Sequence, residues 1–286
     1  MTLAEALHAA QSRLRDAGID DAELEAEVLL RHVLGLDRAH LYARLRESLD
    51  EADRVVFQRL LNRRLAHEPT AYIVGHKEFY GLDLETTPDA LVPRPETELL
   101  VDEAMPTGRQ ALRAAPKRPF AIVDVGTGCG AVAIALAARL PQATVYAIDS
   151  SERALALAAR NVERLGLLSR VRLLHGDLLD PLPEPVDLIV ANLPYVKTSD
   201  WEALPPEIRE HEPREALDGG ADGTAALERL LHQAPSHLQP SGRLLAEIGW
   251  DEGERLIEVA RECFPEARIA VKKDLAGLDR ILLVET

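Results

Sequence analysis

Through the first seventy residues the apolar positions recur at helical spacing. Leu3, Leu7, Ala10 and Leu14 fall on one face of a helix that Gly18 stops. Asp21 reads as the cap of a second helix, with Leu24, Val28 and Leu29 on its apolar face and Gly35 at its end. Asp37 opens a short third helix. Ser48-Leu-Asp-Glu51 has the spacing of a capping box for a fourth, with Val55, Val56, Leu60, Leu61 and Leu65 inside. Residues 1–70 are therefore expected to form a small helical bundle.

The period changes after residue 70. Residues 71–98 alternate apolar and polar around Gly75, Gly81 and three prolines, a pattern expected for a hairpin and an ordered linking loop. Residues 99–115 return to helix. Beyond them short apolar strands alternate with helices: strands at 119–126, 144–149, 170–177, 185–192 and 242–249, helices at 130–140, 151–166, 224–236 and 252–264. A polar loop is expected over 196–224. Such alternation predicts an α/β domain over 99–286 with a doubly wound, mostly parallel sheet. The last two strands, 267–274 and 280–285, are joined by only DLAGLD, too short for a parallel crossover, so they are expected to pair antiparallel.

Composition narrows the class. The 286 residues carry 33 Lys+Arg and 48 Asp+Glu, a formal charge of −15. The acidity is spread along the chain: residues 1–88 hold 11 basic and 16 acidic side chains, and residues 89–286 hold 22 and 32. Wide contact with nucleic-acid phosphates draws on a basic face, so no direct nucleic-acid binding is expected. The N-terminal residues lack the order of a signal peptide and no apolar run reaches 18 residues, so no membrane association is expected. Two cysteines, Cys129 and Cys263, make neither a disulfide framework nor a Cys-rich metal site, and the expectation is a reduced, cytoplasmic protein without a structural metal. Nothing suggests a coiled coil, so a monomer is expected.

Candidate chemistry sits at strand ends. Asp124-Val-Gly126-Thr127-Gly128-Cys129-Gly130 follows the first strand of the alternating region and opens a helix. Glycines there let the backbone turn sharply and approach a ligand closely. The spacing is G-x-G-x-G with an acid two residues ahead, which differs from the dinucleotide fingerprint. Asp149 ends the second strand, where a carboxylate can accept both hydroxyls of a ribose. Gly176-Asp177 ends the third. In isolation each acid is as well explained as a cap or a surface residue, and Cys129 as a small packed side chain rather than a nucleophile. Three such features at the C-terminal ends of successive strands form one crevice. This combination resembles the class I S-adenosylmethionine-dependent methyltransferases over about residues 120–286. The resemblance implies a Rossmann-like seven-stranded sheet with an antiparallel final strand. It places Asp124 near the methionine amino group and Gly126, Thr127, Gly128, Cys129 and Gly130 around the cofactor. Asp149 then holds the ribose, and Asp177 and Leu178 flank the adenine.

The fourth strand ends in Asn192-Leu193-Pro194-Tyr195. A planar amide or ring-amino nitrogen has a delocalised lone pair and attacks a methyl group poorly. Acceptors that hold its N–H groups turn that lone pair toward the electrophile. The Asn192 side-chain oxygen supplies one acceptor and a backbone carbonyl at Leu193 or Pro194 another. Pro194 stiffens the loop and Tyr195 offers a flat face to a planar group. Asn192, Pro194 and Tyr195 are the candidate catalytic residues. All four loop residues are candidates for substrate contact, with Asn192 also beside the cofactor. Glycine spacing disfavours a dehydrogenase, and the intact motifs disfavour a non-catalytic binding module.

Asn-Leu-Pro-Tyr is similar to the loop of ribosomal-RNA adenine dimethyltransferases, whereas the glutamine enzymes usually carry proline at the position of Leu193. An adenine-N6 methyltransferase acting on ribosomal RNA or DNA is therefore the alternative. Three further segments look like the release-factor glutamine methyltransferase family: Gly75-His-Lys-Glu-Phe-Tyr-Gly81, Leu91-Val-Pro93-Arg94-Pro95-Glu96-Thr97-Glu98 and the run from Glu212 to Gly223. With the helical N-terminal region, this resemblance covers essentially the whole chain. It implies transfer of one methyl group from S-adenosyl-L-methionine, leaving S-adenosyl-L-homocysteine, to the N5 of the glutamine in the Gly-Gly-Gln motif of bacterial class 1 peptide-chain release factors. The helical domain is then a second contact for that protein substrate. Pro93-Arg94-Pro95 is stiff and is expected against the cofactor mouth. Glu96 and Glu98 either cap the next helix or face the site, and Glu247, at the end of the fifth strand, reads as structural. The acidic surface favours a protein substrate over RNA.

Overall fold

The computed structural model describes residues 1–114 and 118–286. The chain folds into two compact units, Met1–His76 with Pro205–His211, and Lys77–Leu204 with Glu212–Thr286.

The first unit is helical: α1 (Leu3–Asp16), α2 (Ala22–Leu34), α3 (Arg38–Ala43), α4 (Glu51–Leu65) and α5 (Thr70–Val74). Thr2 and Glu5 form a reciprocal capping box at the start of α1, and Leu3, Ala6, Leu7, Ala10 and Leu14 are its buried stripe. The α2 stripe differs from expectation. Leu24 is exposed, and Ala22, Ala26, Leu29 and Leu30 face the core instead. Asp21 does precede α2, but it is left-handed (φ 51°) and its carboxylate caps nothing. The α4 cap is Asp50, not Ser48: the Asp50 carboxylate accepts from Asp53 N at 2.8 Å, while Ser48 bridges to Thr2. Val55 is exposed, and Phe57, Leu60 and Leu61 are the buried apolar residues of α4. Residues 71–74, expected within the hairpin region, instead join Thr70 in α5, which Gly75 ends. Arg64 is buried and binds Glu25 at 2.9 Å and Glu207 at 2.5 Å, which ties Pro205–His211 to this unit.

The second unit opens within the hairpin of β1 (His76–Phe79) and β2 (Leu82–Glu85), followed by α6 (Glu98–Ala114). Residue 115, the expected end of that helix, lies outside the described residues. The order then runs β3 (Phe120–Val125), α7 (Ala131–Arg139), β4 (Ala143–Asp149), α8 (Glu152–Arg164), β5 (Val171–His175) and β6 (Val186–Ala191). The expected loop over 196–224 contains short helical turns at Thr198–Ala203 and Arg214–Ala216 and the helix α9 (Pro206–His211), which belongs to the first unit. Each is too short to show a periodic face in sequence. The chain ends with α10 (Ala225–Gln233), β7 (Leu238–Glu247), α11 (Gly253–Cys263), β8 (Arg268–Lys273) and β9 (Asp279–Glu285).

These strands build a seven-stranded sheet in the order β5-β4-β3-β6-β7-β9-β8. Only β9 runs against its neighbours, as the short DLAGLD connection requires. Alternate residues of each strand enter opposite cores. Ile122, Val145, Leu188 and Leu245 pack with α6, α7 and α8, while Val123, Ile148, Ile189 and Leu244 pack with α10 and α11. Each such side chain contributes about 1.5–3 kcal/mol by leaving water, which makes the sheet a rigid platform. The chain moves outward from β3 through β4 to β5, then returns to place β6 on the other side of β3. That reversal opens a crevice at the C-terminal ends of β3 and β6.

Candidate functional site

The crevice is a cavity lined by the ends of β3, β4, β5 and β6, by loop residues 89–94, by Thr97 and by Pro213, Glu215 and Ala216. Asp124, Gly126, Thr127, Gly128, Cys129, Asp149, Asp177, Leu178, Asn192, Leu193 and Pro194 all line it. Gly130 and Tyr195 are the two site candidates outside that lining.

Asp124 is 2% exposed. Its Oδ2 accepts from Thr127 Oγ1 at 2.7 Å and from Ala133 N at 3.0 Å, so Oδ1 carries neither bond. Burial pushes its carboxyl up to about 7, against the pull of those two donors. Asp149 shapes the glycine turn as well as facing the cavity: Oδ2 accepts from Gly128 N at 2.8 Å and Oδ1 from Ser151 N at 2.9 Å. Its carboxyl is also raised, mainly by burial. Cys129 is buried and its thiol is pushed up to about 12, which leaves no thiolate for nucleophilic work. Gly130 caps α7 in a left-handed conformation (φ 87°) and faces Ile134 and Ala158 rather than the cavity.

Asp177 pairs with Arg229 across the rim. Leu178, its neighbour, is buried at φ 48°, a left-handed backbone unusual for leucine. Leu179 N donates to Gln233 Oε1 at 2.9 Å and helps hold that turn.

The Asn192–Tyr195 loop meets the glycine turn directly. Gly126 is left-handed (φ 74°), and a Cβ there would lie 2.8 Å from Leu193 Cδ2. Behind the loop runs the 217–223 segment. Val196 N donates to Leu217 O and Gly219 N to Val196 O, both at 2.8 Å. A Cβ on Gly219 would lie 2.7 Å from Pro194 O, so only glycine lets the two backbones approach.

Several polar residues of the site went unmarked in the sequence. Asn192 Nδ2 donates to Thr97 Oγ1 at 3.0 Å, and Thr97 Oγ1 donates to Glu247 Oε2 at 2.8 Å. Tyr195 turns its hydroxyl to Glu247 Oε1 at 3.2 Å. Its phenol is held well above its ordinary range by burial first and the Glu247 charge second. Glu247, read from sequence as structural, is 1% exposed and raised by the same burial. Of the Pro95–Glu98 run, Thr97 reaches the cavity. Glu96 is exposed, and Glu98 accepts from Tyr80 N at 2.8 Å. Glu212 is buried and binds Arg94 at 2.5 Å and Val92 N at 3.3 Å, joining the two loops that border the cavity. Asn161 is fully buried and clamps both the N–H and the C=O of Glu85 and the carbonyl of Cys129.

Chemically this is a socket with a buried carboxylate at one end, a carboxylate-braced glycine turn in the middle and an oriented amide at the other. Among the described residues, no group of three or more His, Cys, Asp or Glu is arranged to hold a metal ion.

Comparison with known proteins agrees with this architecture. Residues 5–75 match the family described as PrmC N-terminal domain, and residues 122–211 match the Methyltransferase domain family. Among solved structures, a methyltransferase from Pyrococcus furiosus shares the fold at 21% identity, with a TM-score of 0.51, covering 80% of this chain and 95% of that one. The hMettl16 catalytic domain, solved in complex with MAT2A 3'UTR hairpin 6, shares it at 15% identity with a TM-score of 0.57, covering 82% of each chain. These likenesses show the fold. Curated relatives are closer. The release factor glutamine methyltransferase of Moorella thermoacetica is 43% identical, covering 99% of this chain and 98% of its own. That of Geobacter sulfurreducens is 41% identical, covering 98% of this chain and 95% of its own. With both halves of the chain aligned at this identity, the protein belongs to the release factor glutamine methyltransferase family.

Proposed function

We propose that the chain transfers a methyl group from S-adenosyl-L-methionine to the side-chain amide N5 of the glutamine in the Gly-Gly-Gln motif of bacterial class 1 peptide-chain release factors. The observation that carries the reading is the join between the glycine turn and the Asn-Leu-Pro-Tyr loop, where Leu193 packs on Gly126 and Asn192 lines the same cavity as Asp124 and Asp149. A methyl donor and a planar amide acceptor can meet there.

The residues fit the cofactor. Asp124 Oδ1, which takes neither of the bonds to Oδ2, would accept from the amino-acid ammonium, Asp149 would hold the ribose hydroxyls, and Leu178 and Asp177 would border the adenine. When bound, the cofactor supplies the electrophile, a methyl group on a sulfonium. The chain does the rest by position. Asn192 Oδ1 accepts one amide N–H of the glutamine. The Pro194 carbonyl is packed against Gly219, which leaves the Leu193 carbonyl as the second acceptor. With both N–H groups held, the nitrogen lone pair turns to the methyl. The new N–C bond would form as the donor's S–C bond breaks, and the nitrogen, then strongly acidic, would give its proton to water. Orientation of this kind is worth up to about 7–11 kcal/mol of barrier. Arg94 and Glu212 close the mouth, and the helical first unit serves as a second contact for the protein substrate. The reading includes a cytoplasmic monomer that binds no nucleic acid or membrane directly.

The test is incubation with labelled S-adenosyl-L-methionine and purified release factors, followed by peptide mass mapping. A single +14 Da mark on the Gly-Gly-Gln glutamine is expected, a methylene's mass added once per glutamine. Label on ribosomal RNA with none on that peptide would overturn the assignment.

A further inference from the structure

An amide side chain has two faces that differ in everything except shape. If Asn192 turned over, it would point N–H groups at the N–H groups of the incoming amide, and the acceptor would be lost. Something must set which way it faces. The β6–β7 register pairs Ala191 with Ala246, so the next positions, Asn192 just beyond β6 and Glu247 at the end of β7, stand side by side. Thr97 arrives between them from the turn before α6. Its hydroxyl has one proton. With Glu247 ionised and able only to accept, that proton goes to Glu247 Oε2 at 2.8 Å. The Thr97 oxygen can then only accept from Asn192, at 3.0 Å. The NH2 end of Asn192 is thereby held on Thr97, and Oδ1 is left for the cavity. The second carboxylate oxygen accepts from Tyr195 OH at 3.2 Å, fixing the far end of the same loop. Glu247 and Tyr195 are outside the cavity lining, so neither is placed to touch the reacting atoms.

We infer that Thr97 and Glu247 are positioning residues for methyl transfer: the carboxylate directs the threonine hydroxyl, and the hydroxyl locks the Asn192 amide with its oxygen toward the substrate nitrogen. This rests on the proposed amide methylation. With Glu247 ionised, donor and acceptor counts fix the direction of each hydrogen bond, and the orientation of Asn192 is then a chemical consequence of a buried carboxylate 150 residues away from Thr97 in sequence. The loop chemistry thus depends on a residue in the fifth parallel strand that never meets substrate.

Three substitutions test it in the full-length protein with intact release factor. Thr97→Val keeps the shape and removes the hydroxyl. It is expected to lower kcat by about 10- to 100-fold, with KM for the factor and cofactor Kd within about threefold. Thr97→Ser restores the hydroxyl and is expected to restore kcat to within about threefold of wild type, a rescue that loss of packing alone does not give. In an Asn192→Ala background, Thr97→Val is expected to cost nothing further, because its effect passes through Asn192. If the valine variant folds poorly by thermal melt, Thr97→Ala is read in the same way. A Thr97→Val kcat equal to wild type, a Thr97→Ser loss as deep as valine's, or additive losses with Asn192→Ala would each overturn the inference. Failure of the wild-type enzyme to mark the glutamine would instead defeat the functional reading.

Discussion

On the proposed reading, in which Asp124 holds the cofactor's ammonium, cofactor affinity should depend on pH in a way the structure lets one calculate. In the ligand-free protein its carboxyl is pushed up to about 7, because burial penalises the charged form. Relative to an ordinary aspartate near 3.9, this corresponds to about 4 kcal/mol against ionisation. A ligand ammonium at Oδ1 favours the ionised form. An α-amino group titrates near 7.7–8.0, so it stays charged below pH 7. Binding below that pH must therefore expel a proton from Asp124. With a free-protein value near 7, affinity is expected to rise about tenfold from pH 5 to pH 6 and to flatten above pH 7. About nine-tenths of a proton should leave per ligand at pH 6.

Isothermal titration with S-adenosyl-L-homocysteine measures both quantities, the affinity directly and the proton count from buffers of different ionisation enthalpy. Asp124→Asn is the control. Both structural bonds use Oδ2, so an asparagine oxygen can keep the Thr127 and Ala133 contacts while losing the charge. The variant should bind weakly at every pH and lose the tenfold step. Any slope left would belong to Asp149, whose carboxyl is raised for the same reason. Wild-type affinity that is flat between pH 5 and 7, or an undiminished step in Asp124→Asn, would refute the argument.

Other expectations are simpler. Asn161→Ala strips partners from two backbone groups of Glu85 and from the Cys129 carbonyl, all at 2.7–3.0 Å; urea unfolding should show a loss of about 2–4 kcal/mol, and an unchanged midpoint would contradict it. Cys129, with its thiol near 12, should stay unmodified by iodoacetamide at pH 8 while the more accessible Cys263 is labelled, as read by intact mass. Arg94→Ala takes a guanidinium from the Glu212 carboxylate, whose side chain is 1% exposed. About 1.5–3 kcal/mol of stability should go and cofactor Kd should rise, because both loops border the cavity; a variant indistinguishable in melting and binding would show that the pair is ornamental.

What could be read from the sequence was whatever repeats along it. Strands and helices of the second unit declared themselves through period, and the acids at 124, 149 and 177 through their place at strand ends. The brevity of DLAGLD sufficed to predict the antiparallel pairing. What stayed hidden depends on contacts between distant positions. Thr97 meets Asn192 across 95 residues, and nothing local distinguishes it from the glutamates on either side. Glu247 looked like any acid ending a strand. Tyr195 was read for its ring alone; that its hydroxyl turns to Glu247 was not legible from the loop. In the first unit, Leu24 and Val55 are apolar yet exposed, while Ala22, Ala26, Leu29 and Leu30 of α2 and Phe57, Leu60 and Leu61 of α4 are buried.

The packing of Leu193 shows what its departure from proline changes. Proline is usual there in the glutamine enzymes, and the substitution would matter most if that residue's side chain did chemistry. On the proposed mechanism the atom that meets the substrate is its carbonyl, which leucine retains. The side chain instead fills the space that Gly126 leaves open, with Cδ2 2.8 Å from where a Cβ would stand. Leucine at 193 and glycine at 126 are thus one packing unit that sets the distance between the glycine turn and the Asn192–Tyr195 loop, the proposed donor and acceptor sides. A larger residue at 126 would drive the loop outward, whereas a proline at 193 would keep the carbonyl but leave that space less well filled. Because near-attack distances decide rate, an error of about 1 Å there can cost on the order of a hundredfold. The departure at 193 is therefore a matter of spacing, and it gives no ground for moving the substrate from a protein amide to a nucleic-acid base. An overall charge of −15 points the same way, since wide RNA contact draws on a basic face and both residues 1–88 and residues 89–286 are net acidic.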